Sequence, residues 1–401
     1  MTEQQSTGMA LAGLRVLELG QLIAGPFAGK MLGEFGADVI KIESVGSGDP
    51  LRKWRKIHEG TSLWWHVQSR NKSSVTLDLK DAEGQEIIRR LVRDADVLIE
   101  NFRPGTLEKW GLGWDALSAI NPGLIMVRIS GYGQTGPYRD KPGFGVMGEA
   151  MGGLRYLTGQ PGEPSVRVGV SLGDSLSALY GVIGTLLALQ ERNQSGKGQF
   201  VDVALYESVF AMMESLIPEY DATGFVREPS GSALPGITPS NAYLCEDGSY
   251  VLIAGNGDSI FRRLMESIGR EDLANDSRFT QNDGRSEHAG LIDAAIGDWT
   301  LQYPRETVID VLEEAEVPVG YPYTAADIVR DPHYLAREMI NTIELPGGQL
   351  LKVPGVVPRL SRTPGRVGGA GPGLGEDTDW ILDELGIGLE TRAELRKRGV
   401  I

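Results

Sequence analysis

The feature that most narrows the fold is an alternation of short apolar strands with helices over the first 130 residues. "LRVLELG" (Leu14–Gly20) reads as a strand, and "PFAGKMLGEFG" (Pro26–Gly36) as a helix opening with proline in its first turn. The strands "DVIKIE" (Asp38–Glu43), "SVTLDL" (Ser74–Leu79), "DVLIENF" (Asp96–Phe102) and "LIMVRIS" (Leu124–Ser130) follow, interleaved with the helical stretches Ala82–Ala95 and Trp114–Ile120. Neighbouring parallel strands need a crossover, and right-handed crossovers lay helices over both faces of the sheet. The expected class is α/β, with a Rossmann-like, mostly parallel sheet.

A long apolar helix follows "VSLGD", with Leu176, Leu179, Tyr180, Ile183, Leu186 and Leu187 at helical spacing. "GQFVDVALYESVF" (Gly198–Phe210) adds a strand running into a helix. The Gly/Ser/Pro-rich "REPSGSALPGITPS" (Arg227–Ser240) marks the best domain boundary. Beyond it a hairpin (Asn241–Ala254) turns at "EDGS", and amphipathic helices near Ile260–Ile268, Gly290–Leu301 and Glu306–Ala315 predict a smaller α/β domain. Residues 367–386 read as a flexible loop and then a helix beginning near Asp377.

Composition removes several classes of function. With 401 residues, two domains are the natural expectation. Asp and Glu outnumber Lys and Arg by 54 to 39, a net charge of −15, which speaks against nucleic acid as a general partner. The lone cysteine, Cys245, excludes an intrachain disulfide and fits a reducing compartment. Four scattered histidines (His58, His66, His288, His333) form no HxxxH pair, so no metal site is expected. The polar start "MTEQQSTGMA" has no signal-peptide pattern. The apolar stretch around "YGVIGTLLAL" reads as too short and glycine-broken to cross a bilayer. A cytoplasmic protein without a membrane partner is expected.

The first strand–turn–helix, "ELGQLIAGPFAGKMLG", is a candidate site, because parallel sheets bind ligands at the carboxyl ends of their strands. It lacks GxGxxG. Gly20 and Gly25 have P-loop spacing, but Pro26 and Phe27 stand where Lys-Ser/Thr would be. Glu43 occupies the place of a ribose-binding acid; a solvated strand-end acid is the simpler reading. "ENFRPGTLEKWGLG" offers Asn101, Phe102, Arg103 and Lys109, which suit an adenine ring and phosphates or an ordinary polar loop equally well. "ISGYGQTGPY" (Ile129–Tyr138) can present backbone N–H groups to an oxyanion or simply turn. No GxSxG elbow or Cys–His pair is visible. Asp174, before the long helix, reads by itself as an N-cap, although a carboxylate can also be a covalent nucleophile.

Several stretches in order, "LAGLRVLELGQLIAGPFAGKMLGEFGADVIKIE", "GSGDPLR", "NKSSVTLDL", "ADVLIENFRPGTLEKWGLG", "NPGLIMVRISGYGQTGPY", "GDSLSALYGVIGTLLAL" and "GKGQFVDVALYESVF", resemble the class III CoA-transferases. That family includes the formyl-CoA:oxalate and carnitine CoA-transferases and α-methylacyl-CoA racemase. The resemblance is dense over residues 11–210 and thinner to the C-terminus. It implies that Asp174 is the catalytic carboxylate, forming an aspartyl-CoA thioester by way of an acyl anhydride. It also implies coenzyme A as substrate, with no separate cofactor. Coenzyme A would lie against Ile23, Ala24, Leu77, Lys80, Asn101, Phe102, Arg103 and Lys109, with Trp54 and Phe144 at the acyl site.

Departures from the family pattern carry information too. The racemases have a histidine at Phe144, and phenylalanine moves no proton, so racemisation is disfavoured. The formyl-CoA enzymes have tyrosine there, glutamine at Ile23 and a tetraglycine loop where this chain has "GSALPGITPS". A larger acid is therefore expected, a dicarboxylate with succinyl-CoA as donor. The resemblance further implies an interlocked homodimer. It places residues 1–224 and 331–401 in the large domain and 225–330 in the small one. An acyl-CoA racemase, a nucleotide-binding oxidoreductase and a non-catalytic acyl-CoA binder are the competing readings.

Overall fold

The computed structural model describes residues 8–401. Its main element is a six-stranded parallel sheet built from β1 (Arg15–Glu18), β2 (Asp38–Glu43), β3 (Lys72–Thr76), β4 (Val97–Glu100), β5 (Ile125–Ser130) and β6 (Phe200–Ala204). Their spatial order is β3–β2–β1–β4–β5–β6, and every neighbouring pair is parallel. This is the doubly wound Rossmann order, with its reversal between β1 and β4.

The central strands are apolar along their whole length because both faces are covered. Val16, Leu17, Val97, Leu98, Ile99 and Val127 are all fully buried. One face packs on α2 (Ala82–Val92), α4 (Trp114–Ile120) and the C-terminal segment; the other packs on α1 (Ala24–Glu34) and α6 (Leu172–Ser195). Between these lie the single-turn α3 (Thr106–Lys109) and α5 (Gly145–Met151). The expected third strand falls two residues earlier than its alternating pattern suggested. Its open edge is closed by the chain's end. Ser74 N–H donates to Asp377 at 2.8 Å, Thr76 N–H to Thr378 at 3.0 Å and Asp78 N–H to Val400 O at 2.9 Å. A covered edge cannot pair with another chain.

One expectation about the long helix fails. At 24 residues α6 is long and apolar enough, by length and composition, to cross a membrane. It runs past the glycines because Gly181 and Gly184 are where it meets the sheet: a Cβ would stand 3.3 Å from Val127 at Gly181 and tighter still on Val201 at Gly184. Ala178, Gly181, Val182, Thr185 and Leu189 form its buried face.

The chain divides into two compact units. Among the described residues the first holds 8–155, 168–218 and 333–401; the second holds 156–167 and 219–332. Residues 156–167 thus join the smaller unit, a segment that sequence grouped with the larger. The smaller unit carries an antiparallel sheet of β7 (Ser240–Leu244), β8 (Tyr250–Ala254) and β9 (Val319–Gly320). Helices α7 (Asp258–Ser267), α8 (Ala289–Thr300) and α9 (Arg305–Glu314) pack on it through Phe261, Leu264, Ile292, Ile296 and Leu312. The hairpin turns at Gly248, as expected, with φ of 78°. Arg285, wholly buried, donates to the carbonyls of Thr238, Phe279 and Asn256 and to Asp258.

Candidate active site

The carboxyl ends of β1 and β4 flank the reversal of strand order, where open parallel sheets bind their ligands. After β1 the chain turns through Gly20–Ile23 into α1. A Cβ on Gly20 would stand 3.0 Å from the α carbon of Gly25, so the turn closes only with glycine at both places. Asn101, just past β4, clamps this turn from the neighbouring strand. Its Oδ1 accepts from Gln21 N–H at 2.7 Å and its Nδ2 donates to Gln21 O at 2.8 Å. The Asn101 amide thus gives one acceptor site and one N–H to the protein backbone, with a second of each remaining on the wall of the cavity described below. Leu22, held at φ 64°, donates its N–H to Asp49 at 3.1 Å.

Beneath the turn lies a buried set of six charges. Lys41 Nζ stands 3.2 Å from Glu18 and 2.9 Å from Asp49, and also donates to Gly20 O. Lys72 Nζ stands 2.7 Å from Glu18 and donates to Pro26 O at 2.7 Å. Arg52 donates to both oxygens of Glu43 at 2.8 Å and lies 3.7 Å from the Trp65 ring. Burial pushes the Lys72 ammonium down to about 8, against the pull of Glu18. For Lys41 burial acts in the same direction, but Asp49 and Glu18 together outweigh it and raise its pKa. Glu43 is 2% exposed, which overturns its reading as a solvated acid. Burial raises its pKa, but the hydrogen bonds and charge of Arg52, helped by Lys41, leave it below the usual carboxylate range.

Above the turn are two cavities. One of about 470 Å³ has Leu77, Lys80, Phe102 and Trp110 in its walls. The other, of about 270 Å³, is walled by Ile23, Arg103, Lys141, Phe144 and Asp174 among others. Gln21 and Phe102 belong to both, so the two adjoin. Phe102 is held edge-on to Trp110, ring centroids 5.5 Å apart.

Asp174 does not cap its helix. Ser171 is the N-cap, and Asp174 is the third residue of α6, in the first turn. There the helix dipole favours a negative charge. Glu149, buried on α5, accepts the N–H of Gly173 at 3.3 Å. The Asp174 carboxylate lies against the α carbon of Gly145, and a Cβ at that position would collide with it. The glycine-rich stretch after β5 is anchored rather than loose: Gln134 N–H donates to Asp202 on β6 at 3.1 and 2.9 Å. Behind the strand end Glu100 is 1% exposed and accepts from Arg128 Nε and Phe102 N–H, both at 2.8 Å. Burial outweighs the Arg128 charge and pushes its carboxyl up to about 7.

Ile23, Ala24, Asn101, Phe102, Arg103, Phe144 and Asp174 all line the smaller cavity, and Leu77, Lys80 and Phe102 the larger. Two residues named from sequence line neither. Trp54 follows the turn at Pro50–Lys53, 42% exposed, and its carbonyl accepts from Ser62 Oγ at 2.6 Å. Lys109 ends α3 with an exposed side chain. Sequence reasoning missed Gln21, Ser130 and Lys141. Ser130 ends β5, and a strand-end position in a parallel sheet is a signal that flags it. Lys141 sits in an irregular loop and carries no such signal.

The profile of CoA-transferase family III matches residues 11–378. The chain is 50% identical over 390 residues, 97% of each protein, to a succinyl-CoA–D-citramalate CoA-transferase of Chloroflexus aurantiacus. It is 35% identical to a succinate–glutarate CoA-transferase of Agrobacterium fabrum, over 96% of this chain and 98% of that one. The solved structure of a CaiB/BaiF family protein from Brucella suis superimposes with a TM-score of 0.82 at 37% identity, covering 94% of this chain and 100% of that one. The strand order, the crevice and these likenesses agree: this chain is an enzyme of CoA-transferase family III.

Proposed function

We propose that the enzyme moves coenzyme A from succinyl-CoA to a dicarboxylic acid through Asp174. The observation that carries this reading is the placement of Asp174. It stands in the first turn of a 24-residue helix, in the wall of a cavity adjoining the crevice at the reversal of strand order. The named relatives, which act with succinyl-CoA on citramalate or malate, or on succinate and glutarate, support the substrate class.

In this scheme a carboxylate oxygen of Asp174 attacks the thioester carbonyl, the C–S bond breaks, and CoA leaves as the thiolate. The thiolate then attacks the Asp174 carbonyl carbon of the mixed anhydride and releases succinate, leaving an aspartyl-CoA thioester. The acceptor carboxylate attacks that thioester and expels the thiolate, which closes on the acceptor's carbonyl and frees Asp174. No water and no proton enter the balance, so the chemistry needs no group beyond the carboxylate and the thiolate. First-turn backbone N–H groups at Asp174 suit the oxyanion of each tetrahedral intermediate. Coenzyme A is then substrate, not a resident cofactor, its nucleotide end against Leu77 and Lys80 and its tail past Ile23, Ala24, Phe102 and Arg103. Asn101 serves it by holding the turn. Phe144 beside Asp174 offers no second acid or base, which sets the racemase reading aside.

Two further parts of the reading are a cytoplasmic setting, in keeping with the single buried thiol of Cys245, and a homodimer. For the dimer the support is an apolar stripe on the outer face of α6, where Leu179, Ile183 and Leu187 are 37, 50 and 66% exposed. Light scattering on the purified protein checks it, a monomer at working concentration being the contrary result. The test of the chemistry is intact-mass measurement after mixing with succinyl-CoA. A CoA adduct that maps to the peptide holding Asp174, and is absent in Asp174→Ala, is the expected result. An adduct elsewhere, or turnover without Asp174, overturns the reading.

A further inference from the structure

Asp174 takes its place against a second helix. Its carboxylate lies over the α carbon of Gly145, the first residue of α5, with no room for a Cβ between them. Gly173, the residue before it, is fitted as closely: a Cβ there would stand 2.8 Å from Gly145 O and 3.3 Å from Glu149 Cγ. Glu149 lies about one turn beyond Gly145 on α5, is 2% exposed, and accepts the Gly173 N–H at 3.3 Å. That N–H belongs to the first turn of α6, where a helix supplies no partner of its own for its donors. The carbonyl of the same residue accepts from the buried Ser177 hydroxyl at 2.8 Å. Gly173 is thus gripped at both its N–H and its carbonyl, and Asp174 follows directly. Helix α5 is itself seated firmly. Gly148 and Gly152 press it onto the short helix Leu205–Phe210, where a Cβ would stand 2.8 Å from Leu205 and 2.7 Å from Val209.

A group that attacks a carbonyl gains most of its advantage from being held in the attacking geometry, and a small misplacement is costly. An aspartate side chain has rotamers to choose from, so something beyond its own helix must hold it. We propose that Glu149 is a positioning residue for the reaction at Asp174, with Gly145 as the floor on which the Asp174 carboxylate rests. Glu149 does not line the cavity, so its part is played through the peptide it holds and not through the substrate. By taking the Gly173 N–H it fixes the start of α6 against α5, and so the direction in which Asp174 leaves the backbone. Gly145 leaves the carboxylate the space it occupies beside the cavity. This inference rests on the proposed transfer through Asp174 and adds the residues that aim it. The chemistry of the contact distinguishes two replacements for Glu149. Glutamine keeps a carbonyl oxygen able to accept the N–H, whereas leucine fills similar space with no acceptor.

The experiment times formation of the enzyme–CoA thioester by intact mass at saturating succinyl-CoA. CoA affinity is measured by calorimetry and folding by urea titration on the same samples. Glu149→Leu is expected to slow thioester formation by about 10²-fold with CoA affinity unchanged, because the nucleophile and not the CoA-binding cavity is misaligned. Glu149→Gln should restore the rate close to that of the wild type. Gly145→Ala should slow the same step without lowering the urea midpoint, because the atom its methyl group meets is the movable end of the Asp174 side chain. Three results overturn the inference: a wild-type rate in Glu149→Leu, a loss in Glu149→Gln as deep as in Glu149→Leu, or lost activity wholly accounted for by unfolded protein. A wild-type rate in Gly145→Ala overturns it as well, and that variant decides the matter if Glu149→Leu does not fold. A wild-type enzyme that forms no thioester, or forms one away from Asp174, speaks instead against the transfer reading itself.

Discussion

Below the turn that joins β1 to α1, six charges are buried and each is matched. Glu18, Glu43 and Asp49 face Lys41, Lys72 and Arg52 at 2.7–3.2 Å. In the wall of the cavity above the same turn, Arg103 and Lys141 are exposed to solvent and have no ion-pair partner among the described residues. The two regions belong to one crevice and differ in their access to water. A charge removed from water must find its counter-charge within the fold, whereas an exposed one is met by solvent. Matched charges below hold the backbone of the turn, since Lys41 reaches Gly20 O and Asp49 reaches Leu22 N–H. The exposed cations above border a space that a substrate can enter.

Substitutions on the two sides should therefore fail in different ways. The largest effect is expected at Asp174. Asp174→Ala should lower CoA exchange by about 10³-fold or more while leaving the denaturant midpoint in place, because a reagent and not a support is lost. A parallel loss of stability would make Asp174 part of the scaffold and erase the contrast. Lys41→Met reverses the pattern. It strands Asp49 in the interior, leaves Glu18 with Lys72 alone, and should cost about 3–5 kcal/mol in denaturant unfolding, with lost CoA binding as a consequence.

Glu100 sharpens the contrast because it is matched but imperfectly. Its carboxyl titrates at about 7 in the folded chain against 4.5 ordinarily. Between those values the folded state holds a proton that the unfolded state has released, so stability at this site falls as pH rises through the window, by up to about 3 kcal/mol. Glu100→Gln should flatten that slope, which urea titrations at pH 5 and pH 7.5 would show. The smallest effect belongs to Asn101→Ala. Loss of its two bonds to Gln21 should cost about 2 kcal/mol and weaken CoA binding, as measured by calorimetry. Weakened binding with no change in stability would mean that Asn101 touches the ligand after all.

Much of this molecule could be read from residue order. The strand–helix alternation announced the parallel sheet, and the hairpin at "EDGS" and the helices of the smaller unit fell close to where periodicity put them. Asp174 stood out through its resemblance to a family motif, not through its own pattern, which suggested a cap. The helix begins three residues earlier, at Leu172 after Ser171, so the local signal pointed to the wrong role. Glu43 was misjudged for a related reason: its partners Arg52 and Ser74 come from separate segments, and nothing in "DVIKIE" announces them.

Sequence by itself determined the class of fold, the order of its elements and the family, because hydrophobic periodicity and motif order are one-dimensional properties. Tertiary structure alone decided what each polar group faces. Asn101 turned out to clamp a turn 80 residues away, and the chain's last residues to seal the edge of β3. Trp54 and Lys109 lay outside the cavities, while Lys141, which no spacing marks, came to line the one at Asp174. The physical reason is that pairing and burial depend on distances across the fold, and those distances exist only once the sheet has brought remote segments together.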